Sequence, residues 1–312
     1  MVRVRRKSCG VGFRSNSKPL SRSNNRLSEN DGRMALFKLT DRERGYLFLE
    51  EIDLEAQLAA VRSLLRRNEA ADTALSIEIK DLENQAREAE EEYAWLVQDM
   101  WVERLEMSVY LDAAHSMAAV GMLAPMFEAM FTTLFRTLGA SGSSLPKKTD
   151  RAKRADADYW NPQILFGSKG RSDNLIGGIL QLAEDTGLKT LLPKDFGKVL
   201  TALFAYRNMM FHNGFEWPTD RRKSFADTLE SQGVPEAWFS TSTRNKEVWI
   251  YYMSPAFVER CLALVSEVLT AIGVLTTPRP NAGNAVKGAT KVTAKITKVS
   301  SVKKPPTPAK TK

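Results

Sequence analysis

The stretch AAHSMAAVGMLAPMFEAMFTTLFRTL, residues 113 to 138, constrains this chain more than any other, because it is apolar around nearly the whole circumference of a helix. Two environments accept such a helix: a lipid bilayer, or the centre of a protein that covers it on every side. His115, Pro125, Glu128 and two threonines fall inside it, and a central carboxylate costs about 2.5 to 3.5 kcal/mol to insert into lipid. A core helix with no membrane partner is therefore expected. In that setting Glu128, among Met126, Phe127, Met130 and Phe131, must meet a donor or take up a proton.

A centre of this kind needs other helices around it. From Asp41 to about Arg67, Tyr46, Leu49, Ile52, Leu54, Leu58, Val61 and Leu64 recur at mostly three- and four-residue steps, the helical period. After a break expected near Asn68, Leu75, Ile79, Leu82, Ala86, Ala89, Tyr93, Leu96 and Met100 alternate steps of 4 and 3, a coiled-coil seam. It fits an antiparallel hairpin within the chain as well as a coiled coil with a partner chain. Residues 139 to 171 are rich in Gly, Ser, Lys and Arg without a period and are expected as a loop insertion. Its GASGSS run lacks the Gly-Lys-Ser/Thr of a phosphate-binding loop. Helices are expected over 174 to 186 and from about Lys194 through Phe211, with Asn213-Gly214 as a C-terminal stop. Residues 219 to 246 read as polar and irregular, EVWIYYM (247 to 253) as the best strand, and Ser254-Pro255 as the start of a last helix to about Leu275. The fold class is all-α: a helical bundle preceded by a long coiled-coil-like hairpin.

Charge divides the 312 residues. The net +8 comes from the ends: residues 1 to 33 hold nine Lys or Arg against Glu29 and Asp31, and residues 276 to 312 hold nine and no acid, so 34 to 275 carry −8. Both ends are expected to be disordered, serving as solubilising tails or as contacts for nucleic acid. The basic arm lacks the apolar run of a secretory signal, and Met34, where the apolar periodicity begins, is an alternative start. Four segments result: the arm 1–33, a helical coiled-coil-like region 34–108, a bundle 109–275 with the insertion 139–171, and the tail 276–312. Two distant cysteines, Cys9 and Cys261, and two histidines, His115 and His212, imply a reducing, cytoplasmic setting and no His/Cys metal centre. No cofactor is expected.

The run AYRNMMFHNGFEWP (205 to 218) gathers basic, amide and imidazole groups. At about 100° per residue Asn208 and His212 form an i, i+4 pair with Arg207 at its edge, while Met209 and Met210 turn into packing. Imidazole beside guanidinium suits a phosphodiester: His moves a proton near neutral pH, and Arg holds phosphate oxygens and stabilises the charge that grows on them. In RNA the 2′-hydroxyl is an internal nucleophile, so a metal is not obligatory.

Arg207-Asn208-Met209-Met210-Phe211-His212 resembles the R-x4-H signature, in its Arg-Asn-x-x-x-His form, of HEPN domains. The resemblance covers roughly residues 109 to 275. It implies a bundle that forms homodimers and, in active members, a metal-independent endoribonuclease, a hydrolase whose two motif copies face one another across a two-fold axis. Such proteins work in toxin–antitoxin, phage-defence or RNA-processing systems, so RNA and a cognate antitoxin or inhibitor are the implied partners. Arg207 would bind the phosphate, His212 would be the general acid or base, Asn208 would orient either one, and Glu128 would fix Arg207. Tyr206 could stack on a base, although an aromatic at this spacing usually packs in a core.

Two functions are thus open. One is a ribonuclease that gathers RNA with its tails or with KKTDRAKR (147 to 154). The other is a non-catalytic HEPN-like, coiled-coil-containing interaction or nucleic-acid-binding protein.

Overall fold

A computed structural model describes residues 38–142, 151, 153, 158–168 and 170–277. The basic arm 1–33, the tail beyond Thr277 and residues 143–150 of the insertion lie outside the described residues.

The chain begins with α1 (Asp41–Phe48), whose capping box joins the Thr40 side chain to the Glu43 N–H and the Glu43 carboxylate to the Thr40 N–H. One helix was expected from 41 to 67, yet the chain turns at 49–53. There the Asp53 carboxylate accepts from the Ala56 N–H at 2.9 Å and starts α2 (Leu54–Glu88). Nothing interrupts α2 at Asn68. The turn comes instead at Ala89-Glu90, before α3 (Glu91–Ala140), a single helix of 50 residues.

The heptad run is therefore cut in two by a turn. Leu82 is buried and Leu75, Ile79 and Ala86 half-buried along α2, where Ala94, Val97, Trp101 and Leu105 of α3 are half-buried in return. Tyr93, Leu96 and Met100, which continue the period past the turn, stand exposed. The hairpin reading holds for the first part of the seam alone. Because α3 runs unbroken through 108–109, the arm and the bundle share one helix, and residues 38–277 fall in one compact unit.

The inner half of α3 is the centre of the core: Leu123, Phe127, Met130, Phe131, Leu134 and Phe135 are fully buried. Of its most apolar 18-residue window 61% is buried, so the surface that raised the membrane question is taken up by the protein itself. Around it pack α4 (Leu175–Asp185), α5 (Phe196–Asn213) and α7 (Pro255–Thr276), the last started by Ser254, whose side chain accepts from the Phe257 N–H, with Pro255 at its first position. Helices α1 and α7 cross through glycine: a Cβ on Gly45 would lie 1.9 Å from the Leu269 carbonyl oxygen, and one on Gly273 1.7 Å from that of Asp41.

Two segments differ from expectation. The end of the insertion enters an antiparallel pair, β1 (Ile164–Gly167) and β2 (Gly170–Asp173), which runs past residue 171. The segment read as irregular holds α6 (Thr219–Ser231) and β3 (Phe239–Arg244), which pairs with the expected strand, β4 (Glu247–Met253). Asn245 and Lys246, at φ 53° and 70°, make the tight turn between them. Helix α6 escaped notice because its single fully buried anchor is Phe225, set among Tyr206, Trp217, Phe239 and Tyr251.

Arg151 overturns part of the basic-segment reading. It is 0% exposed and donates to the carbonyls of Tyr159 (2.5 Å), Asn161 (2.6 Å) and Ile164 (2.7 Å) and to Gln181 (3.2 Å). Burial pulls its pKa down to about 10. A guanidinium spent on these carbonyls, and more loosely on that of Asp158 at 3.5 Å, cannot gather RNA; it ties the 158–164 segment to α4.

Candidate functional site

Helix α5 anchors itself by Val199, Leu200, Leu203, Tyr206 and Met210, all fully buried. Its other side carries the motif. Taking Arg207 as zero, Phe211 falls at about 40°, Asn208 at about 100° and His212 at about 140°, one continuous arc. Arg207 is half-buried, while Asn208, Phe211 and His212 are exposed. Met210 and, in part, Met209 turn inward.

Within this arc Arg207 is held and His212 is not. One Arg207 Nη donates to Asn208 Oδ1 at 3.1 Å, and the guanidinium carbon lies 5.5 Å from the centre of the Phe211 ring. A cation over a ring face is restrained without losing its other N–H donors. The end of the helix is capped without the imidazole: Asn213 Nδ2 donates to the Met209 carbonyl at 3.0 Å, and the Gly214 N–H, at φ 70°, to that of Met210 at 2.9 Å. His212 has no hydrogen bond or ion pair among the described residues. The capping role available to a histidine here is already filled.

Phe211 joins the site without having been assigned a role from the sequence: it is 51% exposed and rests over Gly121 of α3, where an added Cβ would lie 3.5 Å from its Cζ. The signal was in the helical count, which puts Phe211 between Arg207 and Asn208.

Glu128 and Tyr206 stand elsewhere than the resemblance implied. Glu128 accepts from Gln163 Nε2 at 2.6 Å and makes no bond to Arg207. Tyr206 is 0% exposed and donates to the Tyr251 carbonyl at 3.0 Å; burial pushes its pKa up. It is core, unavailable to a base. Trp217, Trp238 and Trp249 are likewise buried. His115 stands in the hairpin, Nδ1 3.2 Å from the Asp72 carboxylate but without hydrogen-bond geometry.

The loop that leaves the motif is fastened to α3. The Tyr110 hydroxyl donates to Glu216 Oε1, which pushes Tyr110 up to about 12 and, with a hydrogen bond from Trp249, holds the Glu216 carboxyl below its ordinary range. Tyr110 meets Trp249 edge-on at 5.4 Å. These contacts hold the 214–216 segment and set the position from which α5 presents His212.

No protein-family model, characterised protein or solved structure matches this chain. The likeness to HEPN domains therefore rests on the hexapeptide and on its setting in a helical protein. Among the described residues no cluster of three or more His, Cys, Asp or Glu could hold a metal ion. The chemistry at hand is that of one guanidinium, one amide and one imidazole on an open surface.

Proposed function

We propose that this chain is a HEPN-like, metal-independent endoribonuclease of the reducing cytoplasm, which cleaves RNA at a site completed by a second copy. The observation that carries this reading is the contrast within one arc of α5: Arg207 is oriented by Asn208 and Phe211, while His212 is exposed and uncommitted. Arg207 holds a phosphate oxygen and stabilises the charge that develops on the non-bridging oxygens as the 2′-oxygen bonds to phosphorus and the bond to the 5′-oxygen breaks, leaving a 2′,3′-cyclic phosphate; His212 transfers a proton from the 2′-hydroxyl or to the departing 5′-oxygen. Asn208 positions Arg207. A single copy offers one imidazole, whereas attack and departure need a base and an acid, so facing copies supply the pair. Exposed Phe211 supplies apolar surface for that meeting.

The test is cleavage of a structured RNA in EDTA by wild type, Arg207→Ala, His212→Ala and Glu128→Gln, with sedimentation for oligomeric state. Expected is a dimer whose cleavage falls by about 10²- to 10⁴-fold in the two alanine variants and is unchanged in Glu128→Gln. Cleavage retained in both alanine variants, or absent in wild type, refutes the reading. In the second case the non-catalytic interaction protein remains, for which the exposed apolar side chains of the α2–α3 hairpin speak.

A further inference from the structure

Helix α3 carries an apolar seam that the fold leaves open. Tyr93, Leu96, Met100, Met107 and Leu111 are 65, 41, 47, 43 and 36% exposed. At 100° per residue they fall within an arc of about 60°, set well away from the side that packs on α2. Beside this ridge, over roughly the next 60°, run Glu92, Asp99, Glu103 and Glu106. Arg244 approaches Glu106 at 3.8 Å, but Glu92, Asp99 and Glu103 have no ion pair among the described residues. Residues 68 to 107 as a whole hold twelve Asp or Glu against three Lys or Arg.

An apolar ridge beside an uncompensated acidic rail selects its occupant by charge. A second copy packed antiparallel would set rail against rail, and one packed parallel would offer each rail only Arg104, already paired with Glu78; RNA or an anionic membrane would be repelled. A helix with apolar residues at i, i+3, i+4 and i+7 and with Lys or Arg along one flank satisfies both features at once.

We propose that the α3 face from Tyr93 to Leu111 is the docking surface for a basic amphipathic helix of a partner protein. The ridge is about 27 Å long, the length of some 18 helical residues. The partner's apolar side chains pack between Leu96, Met100 and Met107, and its cations lie along Asp99 and Glu103. This surface is separate from the α5 motif, and the proposal stands whether or not that motif cleaves RNA.

The probe is a fluorescent synthetic 18-residue helix with leucines at the ridge spacing and lysines on the flank. Controls are the same peptide with glutamates on the flank and one with serines for the leucines. The full chain is titrated as wild type, as Leu96→Ser with Met100→Ser, and as Asp99→Lys with Glu103→Lys, with circular dichroism confirming equal helicity. Expected is saturable, salt-weakened binding of the lysine–leucine peptide, at least tenfold weaker in each double variant, and no binding of either control. Four results would each overturn the proposal. These are no binding by wild type; equal binding of the serine peptide, which would mean charge alone; wild-type affinity in the Leu96→Ser, Met100→Ser variant; or a dimer that this variant converts to monomer, which would make a second copy the occupant.

Discussion

Substituting Gly45 by alanine sets two well-measured effects against each other. In a helix interior Gly→Ala gains about 0.8 to 1.0 kcal/mol from backbone entropy, so α1 considered alone should be strengthened. In the fold the new Cβ would lie 1.9 Å from the Leu269 carbonyl oxygen, where 3.4 Å is the edge of ordinary contact. The obstacle is backbone, which cannot rotate aside, so α1 and α7 must part by about 1.5 Å; overpacking of this kind costs about 1 to 3 kcal/mol and occasionally more. The upper part of that range applies, since parting the helices also loosens Leu49, which is fully buried, and Tyr46 and Phe48, which pack against the core. The net expectation is a loss of about 2 kcal/mol, or a Tm lower by about 4 to 8 °C for a chain of this size. Thermal and urea unfolding measure it, with Leu47→Ala as a control on the same helix, where a 54% exposed side chain should matter little. Gly45→Ala as stable as wild type, or more so, would refute the close crossing.

Three further perturbations test other parts of the structure. Arg151→Met removes the donor from three carbonyls around a fully buried side chain and should cost about 3 kcal/mol or more in urea unfolding; a loss below about 1 kcal/mol would show that those carbonyls find other partners. Tyr206→Phe should cost about 1 kcal/mol, through the Tyr251 carbonyl, and leave RNA cleavage intact; lost cleavage in a folded variant would place Tyr206 at the site. Asp195 accepts two bonds from Arg260, at 2.7 and 2.7 Å, which hold its carboxyl below the ordinary range. The folded state therefore binds fewer protons, so this contribution is complete above the unfolded pKa of about 3.9 and fades as pH falls through the lower folded value. The Tm advantage of wild type over Asp195→Asn should be constant from pH 5 to 8 and shrink below about pH 4; an advantage undiminished at pH 2 would refute the pairing.

How much of this could be read from residues alone varies with what the residues had to reveal. The buried half of α3, the end of α5 at Asn213-Gly214 and the strand 247–253 were all readable, because each has a local cause: all-round apolarity, a glycine at positive φ, a run of β-formers. The turns at 49–53 and 89–90 were not. Leu49, Ile52 and Leu54 keep the helical period across the first, since all three pack on the same core. The heptad steps cross the second, where no Gly or Pro marks the change of direction. Arg151 sits in a basic run that looks solvated, and only the carbonyls around it, 8 to 13 residues later, disclose its burial. Of the candidate site, the outward arc of Arg207, Asn208 and His212 followed from counting 100° per residue, whereas Glu128 was joined to it by chemical plausibility and bonds Gln163 instead.

The unbroken course of α3 has a mechanical meaning. A helix of 50 residues is a rod about 75 Å long. One end bears the acidic ridge, and Gly121, under Phe211, lies thirty residues from its start. There is no joint of loose chain between the two, so a load applied at the far tip is carried along hydrogen-bonded backbone to the floor beneath the motif. Pro125, exposed between buried neighbours, sits just past that floor and deprives the Gly121 carbonyl of its usual in-helix donor. If the rod bends under such a load, it should yield first where Phe211 rests.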